Sequence, residues 1–127
     1  MPMTHIHVRA GRTDEERAAI IDAVHAALVA AIAIPVHDRT LVLHEHAPVN
    51  FAAHRGPDAV LIEVTLFAGR SGAAKRALYR AIVDELHRVG VRREAVTIAL
   101  HDVPREDWGV RGGQCAADVD LGFEVEV

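Results

Sequence analysis

A four-residue signature occurs twice in this chain, and so does everything around it. Ala10-Gly11-Arg12-Thr13 returns 58 positions later as Ala68-Gly69-Arg70-Ser71. Each copy follows a strand-like segment. In the first, Thr4, Ile6 and Val8 alternate with Met3, His5 and His7; the second is Val60-Leu61-Ile62-Glu63-Val64-Thr65-Leu66-Phe67. Each copy also precedes a helical pattern, with Ile21, Val24, Leu28 and Ile32 on one face and Leu78, Ile82, Leu86 and Val89 on the other's. A second strand then follows, Thr40–His46 or Ala95–Leu100, and a proline closes each, Pro48 or Pro104. Two strands joined by a helical crossover lie parallel, so the chain reads as a tandem βαβ repeat. The fold class expected is α/β, a two-layer sandwich whose four-stranded sheet carries both helices on one face. One domain, 1–127, then holds repeat 1 (about 2–50), repeat 2 (about 59–108) and a C-terminal turn and strand (109–127).

Local signals agree with this division. Thr13 with Glu16 three residues on forms a capping box, and Asp14 and Glu15 suit the positive end of a helix dipole. Pro35 stops the first helix, and Gly90 is placed to end the second. Gly109, Gly112 and Gly113 mark turns before a short final strand near Phe123 to Val127, which predicts a C-terminal hairpin. The sheet face without helices carries Met3, Leu61 and Phe67 among His5, His7, Glu63 and Thr65. A part-apolar face of this kind predicts a closed homo-oligomer, and the duplicated unit makes a homotrimer natural.

Several function classes are disfavoured. The net charge is −4 and no Lys/Arg cluster is present, which argues against nucleic acid. The longest apolar run, Ala23–Val36, is broken by His25 and too short to span a bilayer; acidic residues before it argue against a signal peptide. A lone Cys115 fits a reducing cytoplasm, where the protein is expected.

Chemistry enters at the start of the chain. Pro2 heads the first strand, where a proline costs no ladder hydrogen bond. Were Met1 removed, its nitrogen would become a secondary amine, a base near neutrality at the end of a rigid strand. Arg12 and Arg70 each precede a helix start, where free N–H groups already favour an anion and a guanidinium adds a bidentate carboxylate partner. Asp38 lies between the first helix and second strand, placed either to cap a turn or to act on a substrate. His25 follows Val24 and reads as a partly buried histidine. His5/His7 and His44/His46 form two His-x-His pairs whose rings share a strand face, which leaves a histidine-rich metal- or partner-binding trimer as a non-enzymatic alternative.

The duplicated Gly-Arg-Thr/Ser unit behind a proline at position 2, together with Pro35-Val36-His37-Asp38-Arg39, Lys75-Arg76-Ala77-Leu78-Tyr79 and Val103-Pro104-Arg105-Glu106-Asp107-Trp108, resembles the tautomerase superfamily. The resemblance is to its fused-repeat branch, which includes malonate semialdehyde decarboxylase and related tautomerases. It implies a trimer, no cofactor and a small carboxylate-bearing substrate, a 2-oxo acid or its enol. Pro2 would be the general base, Arg70 would bind a carboxylate or enolate oxygen, and Asp38 would match a functional carboxylate. Trp108 would wall the pocket, and His25 and Arg12 fall at substrate-binding positions. Where the decarboxylase has a second arginine and a phenylalanine, this chain has Ala68 and Val110. Keto–enol tautomerisation is therefore the expected activity. The alternative is a decarboxylase, hydratase or dehalogenase with protonated Pro2 as acid and Asp38 activating water.

Overall fold

The computed structural model describes residues 1–126. Its elements run β1 (Met3–Arg9), α1 (Asp14–Ile32), β2 (Leu41–His46), β3 (Val60–Phe67), α2 (Gly72–Arg88), β4 (Val96–Val103), β5 (Gly109–Val110) and β6 (Gln114–Cys115). The first four strands form one sheet in the order β2-β1-β3-β4, and β5 and β6 form a separate hairpin. Pairing within each repeat is parallel, with Ile6 opposite Leu43 and Val64 opposite Leu100. Between repeats it is antiparallel, with His5 opposite Glu63. These two residues occupy the same place in their repeats, so a pseudo-two-fold axis passes between them.

The repeat extends to individual hydrogen bonds. The Ala10 N–H donates to the His46 carbonyl at 2.7 Å, and the Ala68 N–H to the Val103 carbonyl at 2.9 Å. Gly11 and Gly69 follow with φ of 139° and 133°, a region closed to side-chain-bearing residues. Thr13 then accepts from the Glu16 N–H at 3.1 Å while Glu16 reaches back to the Thr13 N–H, completing the capping box. Ser71 caps α2 through the Ala74 N–H at 3.1 Å. Each such cap stabilises its helix by about 1 kcal/mol.

Between sheet and helices lies the main core, where Ile6, Val8, Val24, Leu28, Ile62, Val64, Leu78, Ile82 and Leu86 are buried. Two expected face positions are shifted. Ile20 is buried in α1 and Ile21 only half-buried, because the apolar stripe is centred one residue earlier. Val89 is exposed, because α2 ends in a Schellman turn at Gly90 (φ 94°). There the Val91 N–H donates to the Leu86 carbonyl at 3.0 Å, and Val91 takes the buried place instead.

The expected C-terminal hairpin is present, but the final strand expected near Phe123 is not. The hairpin forms at β5–β6, and residues 123–126 are not a strand; Val127 lies outside the described residues. Gly112 and Gly113, both at positive φ, close the hairpin itself and do not introduce a later strand. The segment after it folds over Phe67, which is therefore buried with Trp108, Ala116 and Val125 in a second cluster on the helix-free face. Among the described residues, no helix is long and apolar enough to cross a membrane.

Elsewhere that face is dominated by imidazoles. Parallel pairing of β1 with β2 sets His5 Nδ1 2.7 Å from His44 Nε2, and His7 Nδ1 2.9 Å from His46 Nε2. The His7 and His44 rings stack between these pairs, 4.6 Å apart at 13°. Ring nitrogens facing each other across a hydrogen bond do not converge on a third point. Among the described residues, no group of three or more His, Cys, Asp or Glu is placed to hold a metal ion.

Burial, and then the charge of neighbouring His44, lowers the His7 pKa below its ordinary value, against a smaller opposing pull from Glu63. The unfolded chain therefore takes up this proton more readily than the folded one. Its contribution to stability is full above the ordinary histidine value and is lost as pH falls toward the folded one. The melting temperature should be lower at about pH 5.5 than at about pH 7.5, and the difference smaller in His7→Gln. Melts followed by circular dichroism test this; equal pH dependence in both proteins would contradict it.

Candidate active site

The antiparallel register of β1 and β3 determines where the chain begins. With Met3 opposite Thr65, the two residues before β1 run alongside Leu66 and Phe67. On the other side, the Thr4 N–H donates to the Thr40 carbonyl at 3.1 Å, which brings the α1–β2 loop to the same end of the sheet. A cavity of about 360 Å³ opens there. Its wall comprises Met1, Phe67, the loop residues Pro35 and His37–Thr40, the hairpin residues Val110 and Arg111, and Leu121 and Phe123. Pro2 is buried at the head of the sheet, just before β1.

At the cavity the N-terminal ammonium forms an ion pair with the Asp38 carboxylate. The loop carrying Asp38 is pinned in three ways. The Asp38 N–H donates to the Pro35 carbonyl at 3.0 Å, and Arg39 pairs with Asp22 on α1. From the helix, His25 Nε2 donates to the Val36 carbonyl at 2.8 Å, while its Nδ1 is buried without a partner among the described residues. His25 thus touches the loop two residues from Asp38 and does not line the cavity.

Arg70 lies deeper. Its side chain is buried; Nη1 donates to the Phe67 carbonyl at 3.0 Å, and among the described residues Nε and Nη2 have no partner. Burial lowers its pKa; the charge of Asp102 opposes that shift and the charge of Arg105 adds to it. A buried guanidinium with two unsatisfied nitrogens is costly, and such cost concentrates where a site awaits an anion. Arg70 is not among the cavity-lining residues; it sits behind Phe67, whose ring forms part of the wall. Trp108 is in the same layer, 4.9 Å from the Phe67 ring at 58°, with Nε1 donating to the Val103 carbonyl at 3.2 Å.

Arg12, at the matching place in repeat 1, faces different surroundings. It donates to the Asp58 carbonyl at 3.2 Å and lines a second cavity of about 430 Å³ with Arg9, Pro48, Pro57 and Asp58. An ion pair with Arg92 holds the Asp58 carboxyl below the usual carboxylate range. The first turn of α1 carries Asp14, Glu15 and Glu16, whereas that of α2 carries no acid. Repeat 1 therefore neutralises its own helix terminus, and repeat 2 leaves its positive end for an anion. Val60 occupies the position that Pro2 holds in repeat 1, so no terminal amine serves the second cavity.

Thus the fold brings Met1–Pro2 and Asp38 together, puts Arg70 and Trp108 in the layer behind them, sets His25 behind the loop and leaves Arg12 apart. Phe67, Arg39, Arg111, Leu121 and Phe123 in the wall were not singled out in the sequence. For Arg111 the signal available was a lone arginine inside a glycine turn.

Comparison with known proteins agrees with this architecture. Two family models, each described as tautomerase enzyme, match residues 38–111 and 2–55. A Bacillus subtilis (strain 168) protein named probable tautomerase YusQ is 30% identical over 122 residues, 90% of this chain and 96% of that one. The crystal structure of FG41 malonate semialdehyde decarboxylase inhibited by 3-bromopropiolate superposes with a TM-score of 0.84 at 35% identity, over 89% of this chain and 92% of that one. A symmetric trimer of fused 4-OT superposes with a TM-score of 0.81 at 28% identity, over 91% and 96%. With one model spanning more than half its length and two βαβ units in one polypeptide, the chain belongs to the tautomerase superfamily of enzymes, in its fused-repeat branch.

Proposed function

We propose that this enzyme is a cofactor-independent keto–enol tautomerase of 2-oxo acids, with the secondary amine of Pro2 as its base once Met1 has been excised. The observation that carries this reading is the meeting of the chain's terminal ammonium with Asp38 at a cavity bearing arginines and an apolar wall. Pro2 nitrogen takes the enol hydroxyl proton as the carbonyl forms, and the resulting ammonium returns a proton to the adjacent carbon. Asp38 accepts from that ammonium and fixes its direction. Arg70, buried in the layer behind Phe67, adds positive potential that favours the negative charge developing on the enolate oxygen. Phe67, Leu121 and Phe123 limit water. The assembly is a cytoplasmic homotrimer covering the helix-free face, in keeping with the trimeric fused 4-OT.

A second reading, decarboxylation or hydration with Asp38 activating water, is favoured by the likeness to FG41 malonate semialdehyde decarboxylase. Mutants separate the two. Asp38→Asn should slow phenylpyruvate enol ketonisation by less than about tenfold, since one amine can serve as base and acid in turn. Pro2→Ala should slow it far more. Comparable losses in two folded mutants would favour the water-activating reading. Intact mass should show active protein lacking Met1, and full activity from protein that retains it would refute the amine mechanism.

Arg70→Met should lower kcat/KM by roughly two- to tenfold, less than the loss of a directly contacting oxyanion donor. It should leave the protein at least as stable, because a buried guanidinium with two nitrogens lacking a partner among the described residues is replaced by an apolar chain of similar length. Arg12→Met should barely alter kcat/KM. A reversed ranking would move the working site to repeat 1.

For assembly, light scattering should give about three times the 13.8 kDa chain mass. A stable monomer at micromolar concentration would contradict the trimer.

A further inference from the structure

Met1 shows what the cavity is shaped to hold. Its side chain packs against the cluster of Phe67, Trp108, Ala116 and Val125, beside Val110, Leu121 and Phe123. Excision leaves an apolar space of methionine size next to the Pro2 nitrogen. Two arginines flank that space, Arg39 and Arg111. Arg39 is committed to Asp22. Arg111 has no carboxylate partner among the described residues, and its one side-chain hydrogen bond runs from Nη2 to the Asp120 carbonyl at 2.8 Å. That bond ties the guanidinium to the segment carrying Leu121 and Phe123.

The backbone adds an independent observation. Arg111 has φ 49° and is followed by Gly112 at 79°, in a turn closed by the Gly113 N–H to the Val110 carbonyl at 3.1 Å. Two successive positive φ values make this a type I′ turn, whose first central position suits Asn, Asp or Gly. An arginine there costs about 1 kcal/mol or more, and such strain gathers at ligand-binding positions.

We propose that Arg111 holds the substrate's carboxylate and that the space vacated by Met1 takes its apolar side chain, so that the enzyme selects monocarboxylate 2-oxo acids with an aryl or alkyl arm. This rests on the tautomerase reading of the same cavity. The carboxylate end meets a guanidinium already oriented by Asp120, the arm lies against Phe67, Val110, Leu121 and Phe123, and the enol hydroxyl is left facing Pro2.

The experiment compares the enol of phenylpyruvate with the enol of its methyl ester, in Met1-free wild type, Arg111→Asn and Arg111→Lys. Wild type should favour the acid, chiefly through KM, by about tenfold or more, the usual size of a charge-assisted contact. Arg111→Asn should lose that preference, chiefly through a higher KM for the acid; Arg111→Lys should restore part of it. Its melting temperature should be equal or higher, because Asn suits the turn, a result that separates lost binding from lost structure. An acid preference surviving intact in Arg111→Asn would overturn the assignment. Calorimetric binding of 3-phenylpropanoate supplies a readout independent of turnover. Loss of that binding in Arg111→Asn, with wild type inactive on both enols, would uphold Arg111 and refute the tautomerase reading. Undiminished binding would refute Arg111 itself.

Discussion

The antiparallel contact between β1 and β3 is what the rest of this molecule depends on. It joins two βαβ units that would otherwise each expose a sheet edge, and it fixes their register, His5 opposite Glu63. From that register follows the position of the chain's first residues beside Phe67. A slip of one residue would turn Ile6 and Val8 toward the helix-free face and move the terminal nitrogen away from Asp38. The burial that enforces the register is large, since Ile6, Ile62 and Val64 are all buried between sheet and helices and truncating such an isoleucine costs about 2–5 kcal/mol. Core packing thereby positions chemistry that no core residue performs.

Duplication supplies the scaffold twice, and a few residues make one copy different. The cap, the positive-φ glycine and the arginine are shared. The repeats diverge in the charge of the helix's first turn, in what precedes the strand, and in what covers the loop. Around Gly69 the C-terminal segment packs closely, with Glu126 Cγ 3.2 Å from where a Cβ would be, whereas at Gly11 no described residue beyond its chain neighbours comes within 4 Å of that position. The tail thus covers Gly69 and leaves Gly11 open, beside a buried Arg70 and a half-buried Arg12. Symmetry of backbone with asymmetry of charge and cover gives two arginines distinct environments without altering either helix.

Much of this was legible in the sequence because its determinants are local. Caps, turn prolines and two-residue alternation each act within a few positions, and their recurrence fixed the topology. The expected hairpin is present, but the strand expected near Phe123 is not, because Gly112 and Gly113 announce a turn without saying which strands it joins, and Phe123 packs as a cover over Phe67 with the apolar look of a strand residue. Val89 lost its buried place to Val91 because a Schellman turn carries the chain back over its own helix. The pairing of Met1 with Asp38 links residues 37 apart in sequence, and only the strand register brings them together. Arg111 was hidden because a lone arginine in a glycine turn reads as solvent-facing, and its positive φ is invisible until the hairpin is built.

The axis between His5 and Glu63 has a consequence for how such a chain can vary. Were the two halves separate, identical polypeptides assembled as a symmetric dimer, whatever residue stood at this position would face its own copy. A charged residue there would meet its like directly across the ladder, an arrangement that destabilises a sheet. Joining the halves in one polypeptide removes that restriction, because each side is then specified separately. An imidazole can face a carboxylate, and the innermost row of the sheet becomes free to hold complementary partners that no self-paired half could supply.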